Sequence, residues 1–320
     1  MSLNVCLNVL LSLSLGFPLY VGADGEAKYQ VVANWPEIPA GYSFGAIPGV
    51  AVDSKDRVYF FHRGKHPVMI FERDGKFVKS WGDGLIEDAH HIKIDHDGNV
   101  WLADYKGQVI LMCTPEGKVL MTLGTRKVAG EDATHFDRPT DMAFASNGDI
   151  YVSDGYGNNR VVQFSKEGKY IRSWGKKGAG PGEFDLPHAI AIDSKDRVYV
   201  ADRSNARIQI FDRNGKFLSQ WNDLLTPWGL FMTGKDELWA CGSSVVPKPA
   251  EGMPGIPPKD QLILKISTDG KILERFGNAG GRTPGLTDWV HCVAVSSRGE
   301  VFVGDIKGQR PQKFVKAGGR

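Results

Sequence analysis

An internal repeat runs through almost the whole chain and restricts it to a ring of similar units. Six segments share one pattern, in which a variable first residue, which we call the lead position, precedes alternating apolar residues. The segments are P-G-V-A-V-D (48–53), H-H-I-K-I-D (90–95), T-D-M-A-F-A (140–145), H-A-I-A-I-D (188–193), W-G-L-F-M-T (228–233) and H-C-V-A-V-S (291–296). Gly or Asp turns and further short alternating runs follow each one. Runs of this kind, roughly 40 to 60 residues apart, predict an all-β fold, a six-bladed β-propeller with four short strands per blade.

A ring of blades has to close on itself, and both ends of the chain carry strand patterns that suit this. The segments 29–33 and 311–315 are the candidates for completing the sixth blade. Because the repeats fill nearly all of the sequence after its apolar start, we expect one domain, residues 24–320.

Residues 1–23 are mostly apolar and end in the small residues Val21-Gly22-Ala23. This composition predicts a secretory signal peptide cleaved near Ala23, with a membrane anchor as the alternative. Asn4, Gly16 and Pro18 interrupt the stretch and favour the signal peptide. We therefore expect a secreted or periplasmic protein with no membrane span after cleavage.

Composition excludes some partners. The net charge is +2 in 320 residues, and Lys and Arg alternate with Asp at turns, so we expect no nucleic-acid binding. A small molecule or a peptide is the expected substrate, and a monomer is the expected oligomeric state.

The proline-rich stretch 245–259 predicts either a surface loop or a cover for the channel mouth. No C-x-x-C spacing occurs, so a disulfide framework is not expected of the four cysteines Cys6, Cys113, Cys241 and Cys292.

Histidine occupies the lead position in every second repeat, at His90, His188 and His291. In a ring of six blades these residues lie about a third of a circle apart, and three imidazoles are a known ligand set of catalytic zinc. The alternative is that each is a polar residue at the channel rim. Three of the eight histidines fall at this position in strict alternation, which favours a shared metal site. We expect His91 to point away from His90 along the strand.

Three further residues are predicted to lie at the same end of the channel. Arg63, Tyr156 and Arg203 each follow the second strand of a blade by a few residues. If the first strand leaves the mouth, the second returns to it, so these turns lie beside the histidines. The alternative is a structural turn in each case. The aspartates that recur there, Asp104, Asp154 and Asp202, are interpreted as turn formers.

The chain resembles the NHL-repeat propellers and, among them, peptidyl-α-hydroxyglycine α-amidating lyase. The similarity covers about residues 45–315. Its most specific segments are H-R-G-K-H (62–66), F-D-R-P-T-D (136–141), S-D-G-Y-G-N-N-R-V-V-Q-F (153–164), L-P-H-A-I-A-I (186–192) and A-D-R-S-N-A-R-I-Q (201–209).

The resemblance implies a zinc ion held by the three lead-position histidines, a catalytic pair formed by Arg63 and Tyr156, and a substrate pocket lined by Arg203. It implies cleavage of a peptide ending in α-hydroxyglycine to the peptide amide and glyoxylate. The family also places an aspartate after the third histidine, where it supports a structural calcium. Cys292 stands there in this chain, which argues against calcium.

Two other functions stay open at the level of sequence. One is an NHL propeller that is not an enzyme and binds a protein, peptide or glycan at its mouth. The other is a metal-dependent lactonase or hydrolase, whose calcium is usually held by carboxylate and amide oxygens rather than by imidazoles.

Overall fold

A computed structural model describes residues 20–21, 27–245 and 260–318. It contains six antiparallel β-sheets arranged as the blades of a propeller, as the repeat predicts. Most of the apolar start and most of the proline-rich stretch lie outside the described residues, so the predictions made for them stay predictions. In the described ranges no helix has the length and apolarity needed to cross a bilayer.

Blades 1 to 3 each contain four strands, which follow one another from the channel outward. Blade 1 consists of β3 (Gly49–Val52), β4 (Val58–Phe61), β5 (Val68–Phe71) and β6 (Phe77–Trp81). Blade 2 consists of β7 (Ala89–Ile94), β8 (Val100–Asp104), β9 (Val109–Cys113) and β10 (Val119–Leu123). Blade 3 consists of β11 (Pro139–Phe144), β12 (Ile150–Asp154), β13 (Arg160–Phe164) and β14 (Tyr170–Trp174).

Blades 4 and 5 repeat this order, and blade 6 combines both ends of the chain. Blade 4 consists of β15 (Pro187–Ile192), β16 (Val198–Asp202), β17 (Arg207–Phe211) and β18 (Phe217–Asn222), with the 3-10 helix η1 (Arg203–Asn205) after β16. Blade 5 consists of β19 (Thr226–Met232), β20 (Glu237–Ser243), β21 (Asp260–Ser267) and β22 (Ile272–Ala279). Blade 6 consists of β23 (Val290–Val295), β24 (Val301–Asp305), β25 (Arg310–Lys316), β2 (Ala27–Val31) and β1 (Tyr20–Val21).

The ring closes at blade 6, where strands from the two chain ends pair. Strand β2 lies antiparallel to β25, with Tyr29 opposite Lys316 and Val31 opposite Phe314. The six innermost strands also contact one another in sequence around the axis, and β23 returns to β3. The predicted closure by both ends of the chain is therefore confirmed for these strands.

The hydrophobic core lies between the blades and not inside any one of them. Each of six buried clusters joins side chains of two adjacent sheets, for example Tyr59 and Phe61 of blade 1 with Leu102 and Leu111 of blade 2. A single twisted four-stranded sheet leaves both faces open, so each blade buries them only against its two neighbours. This packing makes the position of each innermost strand depend on the whole ring.

Three of the Gly-Lys turns of the repeat, at Gly117, Gly215 and Gly270, fit against a tryptophan of the preceding blade. Gly117 has φ +91, and a Cβ atom there would lie 2.6 Å from the Trp81 ring. Gly215 has φ +83, and its Cβ would lie 2.7 Å from the Trp174 ring. Both the positive φ and the close approach require glycine. The Gly and Trp of the repeat are thus one packing unit shared by two blades.

Serine–aspartate contacts join three pairs of neighbouring blades on the face opposite the lead positions. The Ser194 backbone N–H and hydroxyl donate to the two carboxylate oxygens of Asp236 at 2.8 and 2.6 Å. Equivalent pairs join Ser146 to Asp196 and Ser297 to Asp56. These contacts repeat because the turns between the first two strands of each blade are alike.

Candidate metal centre and active site

Each of the three lead-position histidines lies at an irregularity of its innermost strand. In blade 4, Pro187 is opposite Asp202 and Ala189 is opposite Ala201, which leaves His188 as an extra residue. Blade 6 has the same register shift, between Val290 and Cys292. A β-bulge of this kind re-aims a side chain that a regular strand would place on one face of the sheet.

The structure brings the side chains of His90, His188 and His291 together on the axis. One ring nitrogen from each lies within 4.8 Å of the others. The ring centroids are 4.8 to 5.0 Å apart, and the three rings are almost fully buried. The three residues come from alternate blades, so the cluster has an approximate threefold arrangement.

The other three lead positions hold these rings in place through backbone carbonyls. The Nδ1 atom of His90 lies 2.6 Å from the oxygen of Thr140, and that of His188 lies 2.5 Å from the oxygen of Trp228. His291 Nδ1 is 2.9 Å from the oxygen of Pro48. A carbonyl only accepts hydrogen bonds, so Nδ1 carries the proton and Nε2 keeps its lone pair. This is the tautomer that a metal ligand requires.

Burial also favours the neutral form of the cluster. Desolvation lowers the pKa of His90, His188 and His291 well below the usual value, and nearby histidines or Arg203 lower each further. The pKa falls because a buried imidazolium loses the solvation that water gives its charge. Neutral imidazoles are the form that binds zinc.

The prediction that His91 points away from His90 is wrong. His91 is 3% exposed, and its ring centroid lies 4.8 Å from that of His90 and 5.2 Å from that of His291. The register of β7 shifts between Ala89 and Ile92, so the simple alternation of side chains does not hold there. His91 Nδ1 lies 3.1 Å from the Thr140 oxygen, the same acceptor that His90 uses. Burial lowers its pKa to about 3.

Buried aspartates at the ends of the second strands anchor the segments that lead into the histidines. The Asp104 carboxylate accepts one hydrogen bond from the backbone N–H of Asp88, two residues before His90, and one from that of Glu87. Asp305 does the same for Trp289, next to Val290 and His291. Asp104 acts as scaffolding, as the sequence predicts, and Asp305 has the same role without having been predicted; the two hold the entries of β7 and β23.

Tyr156 reaches the centre of the histidine cluster. Its hydroxyl lies 3.1 Å from His188 Nε2 and 3.3 Å from His90 Nε2. Arg203 Nη1 lies 3.5 Å from the same hydroxyl. Burial raises the pKa of Tyr156, and the charges of Arg203 and Arg63 oppose that rise. A phenol hydroxyl and a cation therefore share this end of the channel with the histidines.

Arg63 lies at the same mouth and is held through one side of its guanidinium. Its Nε atom is 2.6 Å from an oxygen of Asp88 and 3.0 Å from the backbone oxygen of Ala89. Its side chain is 34% exposed. Its guanidinium carbon lies 5.7 Å from the centre of the Tyr105 ring. Asp88 and Tyr105 thus fix the orientation of Arg63.

Sequence reasoning missed several residues of this mouth. Tyr105 follows Asp104 as Arg203 follows Asp202, so the same repeat position could have identified it. Its ring centroid lies 5.3 Å from that of Tyr156. Trp289 stacks on Trp228 at 4.9 Å and carries Lys307 over its ring at 4.7 Å. No repeat signal in the sequence marks Trp289.

Zinc fits the donor set. Three neutral imidazoles with converging Nε2 atoms, each bonded through Nδ1 to a carbonyl, are a donor set of the kind that catalytic zinc sites use, with a fourth position left open. The remaining cysteines of the described residues, Cys113, Cys241 and Cys292, are buried and free. The arrangement can hold a metal, bind an anion at Arg63 and Arg203, and move a proton at Tyr156.

The chain is similar to known propellers and amidating enzymes. A family model described as a six-bladed β-propeller, DUF5128, matches residues 136–222. The rat peptidylglycine alpha-amidating monooxygenase is 37% identical over 227 residues, which are 60% of this chain and 23% of that protein. The chain therefore spans less than a quarter of that relative's length.

Two further relatives match more of their own length. The Caenorhabditis elegans probable peptidyl-alpha-hydroxyglycine alpha-amidating lyase is 31% identical over 249 residues, covering 69% of this chain and 70% of the relative. The human NHL repeat-containing protein 3 is 33% identical over 216 residues, covering 63% and 62%. Among solved structures, a streptogramin B lyase has a TM-score of 0.62 at 12% identity and covers 91% of this chain and 98% of its own, a likeness of fold alone.

Proposed function

Because this chain belongs to the peptidyl-α-hydroxyglycine α-amidating lyase family, we propose that it is a zinc-dependent lyase of carbinolamides. The proposed substrate is a peptide or small N-acyl compound ending in α-hydroxyglycine. The products are the corresponding amide and glyoxylate. In this reaction the hydroxyl proton leaves its oxygen, the C–N bond breaks, and the amide nitrogen takes up a proton.

One observation carries the proposal. The Tyr156 hydroxyl lies within hydrogen-bonding distance of Nε2 atoms of two of the three clustered histidines, His90 and His188. A purely structural tyrosine would be expected to bond the backbone or another blade, as Tyr151 does with the oxygen of Arg213. A phenol among three convergent imidazoles suits proton transfer at a substrate oxygen bound there.

Each group has a distinct role. Zinc held by His90, His188 and His291 would supply Lewis acidity toward a substrate oxygen. The Tyr156 oxygen would accept the hydroxyl proton. Burial raises the pKa of Tyr156, and the positive charge of Arg203 at 3.5 Å opposes that rise in favour of the phenolate. The burial of the cluster keeps water away and strengthens these electrostatic interactions.

Arg63 and Arg203 are the groups suited to the substrate carboxylate. The Nε atom of Arg63 is engaged by Asp88 and Ala89, and its two terminal nitrogens have no partner among the described residues. Guanidinium groups bind carboxylates through such paired N–H groups. We expect Arg63 to orient the carboxylate so that the hydroxyl faces the histidines.

The test is an assay of the purified, zinc-loaded chain with an N-acyl-α-hydroxyglycine. The expected result is release of glyoxylate and amide in equal amounts, faster than the spontaneous reaction, and abolished by removal of the metal. Zinc binding without turnover of this substrate would contradict the proposed reaction.

A second candidate function is ligand binding without catalysis at the same mouth. It is considered because the human relative that is 33% identical is named for its NHL repeats and for no reaction. The two candidates differ in metal content: a binding propeller needs no zinc, and its histidines would be rim residues. A wild-type chain that binds no transition metal would support this second candidate.

A further inference from the structure

A partly buried lysine crosses the central channel below the histidine cluster. Lys93 belongs to β7, three residues after His90, and its side chain is 16% exposed. Its ammonium donates to the backbone oxygen of Leu230 in blade 5 at 2.7 Å. It also lies 3.3 Å from a carboxylate oxygen of Asp141 in blade 3. One cation therefore connects the innermost strands of three blades.

Asp141 is fully buried and is the anion of this pair. Its carboxylate accepts hydrogen bonds from the backbone of Met142 at 2.9 Å and of Ile190 at 3.1 Å. Among the residues that the structure describes, Lys93 is the one cation paired with it. A carboxylate buried in this way needs a counter-charge, because desolvation of an isolated charge costs far more than a hydrogen bond returns.

The Lys93–Asp141 pair lies next to the backbone carbonyls that orient the histidine rings. Asp141 follows Thr140, whose carbonyl holds the ring of His90. Leu230 lies two residues after Trp228, whose carbonyl holds the ring of His188. Lys93 lies on β7, the strand of His90. Its contacts thus join β7 to β11 and β19, the two strands whose carbonyls orient the rings of His90 and His188.

The residues around Lys93 and Asp141 in the channel do not suit the calcium ion that the family resemblance implies. Calcium prefers six to eight oxygen ligands with carboxylates among them. The residue after the third histidine is Cys292, whose thiol is buried and lies 3.8 Å from the oxygen of Ile47. A thiol offers a soft sulfur and not the oxygen ligands that calcium takes. The channel carboxylate, Asp141, comes from a different blade and already contacts an ammonium.

We propose that the Lys93 ammonium is the built-in cation of this channel and takes the structural role of a calcium ion. Because this ammonium is covalently attached to β7, it is always present and a chelator cannot remove it. The folded state and the histidine cluster then assemble without calcium. This proposal concerns stability, so it holds or fails independently of the lyase activity.

The first experiment compares calcium with no calcium in the wild-type chain. The protein is stripped of all metal with a chelator, dialysed, reloaded with zinc alone, and then given excess calcium chloride. The expected result is an unchanged melting temperature and no binding heat in calorimetry. A rise in melting temperature with calcium, or a stoichiometric calcium isotherm, would overturn the proposal.

The second experiment removes the charges one at a time. Lys93→Met keeps most of the side-chain length but leaves Asp141 uncompensated, so its melting temperature should fall by several degrees. The double variant Lys93→Met/Asp141→Asn should recover much of this loss, since the uncompensated charge is gone. Lys216→Met, at an exposed turn, is the matched control and should melt like the wild type. Equal melting of Lys93→Met and Lys216→Met would overturn the proposal. If Lys93→Met does not fold, the wild-type calcium titration decides alone.

Discussion

The Nδ1 atom of His188 lies 2.5 Å from the backbone oxygen of Trp228, the residue at the same repeat position in the next blade. The six lead positions therefore form three pairs, each with one imidazole and one carbonyl acceptor. The alternation seen in the sequence supplies both the candidate ligands and the groups that orient them.

The substitution His188→Ala should abolish stoichiometric zinc binding while leaving the fold intact. Loss of a hydrogen bond behind a zinc-binding histidine already costs roughly 10- to 100-fold in metal affinity, and loss of the ligand should cost more. Metal analysis of the purified variant and far-UV circular dichroism would measure the two effects. His96→Ala, at an exposed turn, is the control and should keep its zinc. A full zinc complement in His188→Ala would show that the cluster is not the metal site.

Much of the fold could be predicted because several independent features of the sequence show the repeat. Alternating apolar residues and Gly turns recur in each blade and outer-strand tryptophans in several, and each of them makes contacts between neighbouring blades. The convergence of His90, His188 and His291 follows from sixfold geometry alone, since equivalent positions of a ring face the same axis. The turn position of Arg203 follows in the same way.

What could not be predicted depends on local register and on contacts across the channel. The strand irregularity beside His91 adds a residue that no alternation pattern shows, so its ring lies in the channel. The pairing of Lys93 with Asp141 and Leu230 joins three blades that are distant in sequence. Such contacts are set by side-chain length and the channel diameter, and neither can be deduced from spacing.

Tyr156→Phe should retain zinc and lose turnover. The substitution removes only the hydroxyl that lies near His90 and His188, so the ring should keep its place. Loss of a proton-transfer group typically costs about 10²- to 10⁴-fold in rate. Steady-state glyoxylate release with zinc analysis on the same sample is the measurement. Tyr170→Phe, at an exposed outer strand, serves as the control. If zinc and activity fall together, Tyr156 is a structural residue.

Arg63→Lys should weaken recognition of the substrate carboxylate. A lysine keeps the charge but loses the planar pair of terminal N–H groups, and a charge-assisted hydrogen bond contributes about 1.5 to 3 kcal/mol. We therefore expect kcat/KM to fall by roughly 10- to 100-fold, mostly through KM. Arg213→Lys, an exposed arginine of a turn, should behave like the wild type. Unchanged kinetics in Arg63→Lys would remove Arg63 from the binding site.

Ser194→Ala should destabilise the contact between blades 4 and 5 by about 1 kcal/mol at neutral pH. Two hydrogen bonds from Ser194 hold the pKa of Asp236 below its usual 3.8, and the substitution removes the one from the hydroxyl. A lowered pKa means that the folded state favours the carboxylate, so this stabilisation is present above about pH 3.8 and disappears at lower pH.

The measurement for Ser194→Ala is urea unfolding at neutral pH and near pH 3. Ser54→Ala is the control, because Ser54 is the equivalent residue of blade 1 and Gly98 of blade 2 offers no carboxylate. A loss of stability that is the same at both pH values would contradict the role given to the Asp236 carboxylate.

In the strand that closes the ring, Tyr29→Ala should cost far more stability than Tyr29→Phe. The Tyr29 ring is 1% exposed and stacks on Phe276 with centroids 4.2 Å apart, so its loss leaves a cavity between blades 5 and 6. Removal of a buried aromatic ring costs about 3 to 5 kcal/mol. The hydroxyl alone donates to Glu274 at 2.6 Å, and Lys316 also pairs with that carboxylate. Its removal should therefore cost only about 1 kcal/mol.

Urea unfolding of the two Tyr29 variants, followed by tryptophan fluorescence, would measure this difference. Trp239 packs edge-on against Tyr29 at 6.3 Å and should report local opening of blade 6. Because the core lies between blades, loss of the closing contact should lower the stability of the whole ring and not release one strand. Equal stabilities of the two variants would mean that the pairing of β2 with β25, and not the packing of this ring, closes the propeller.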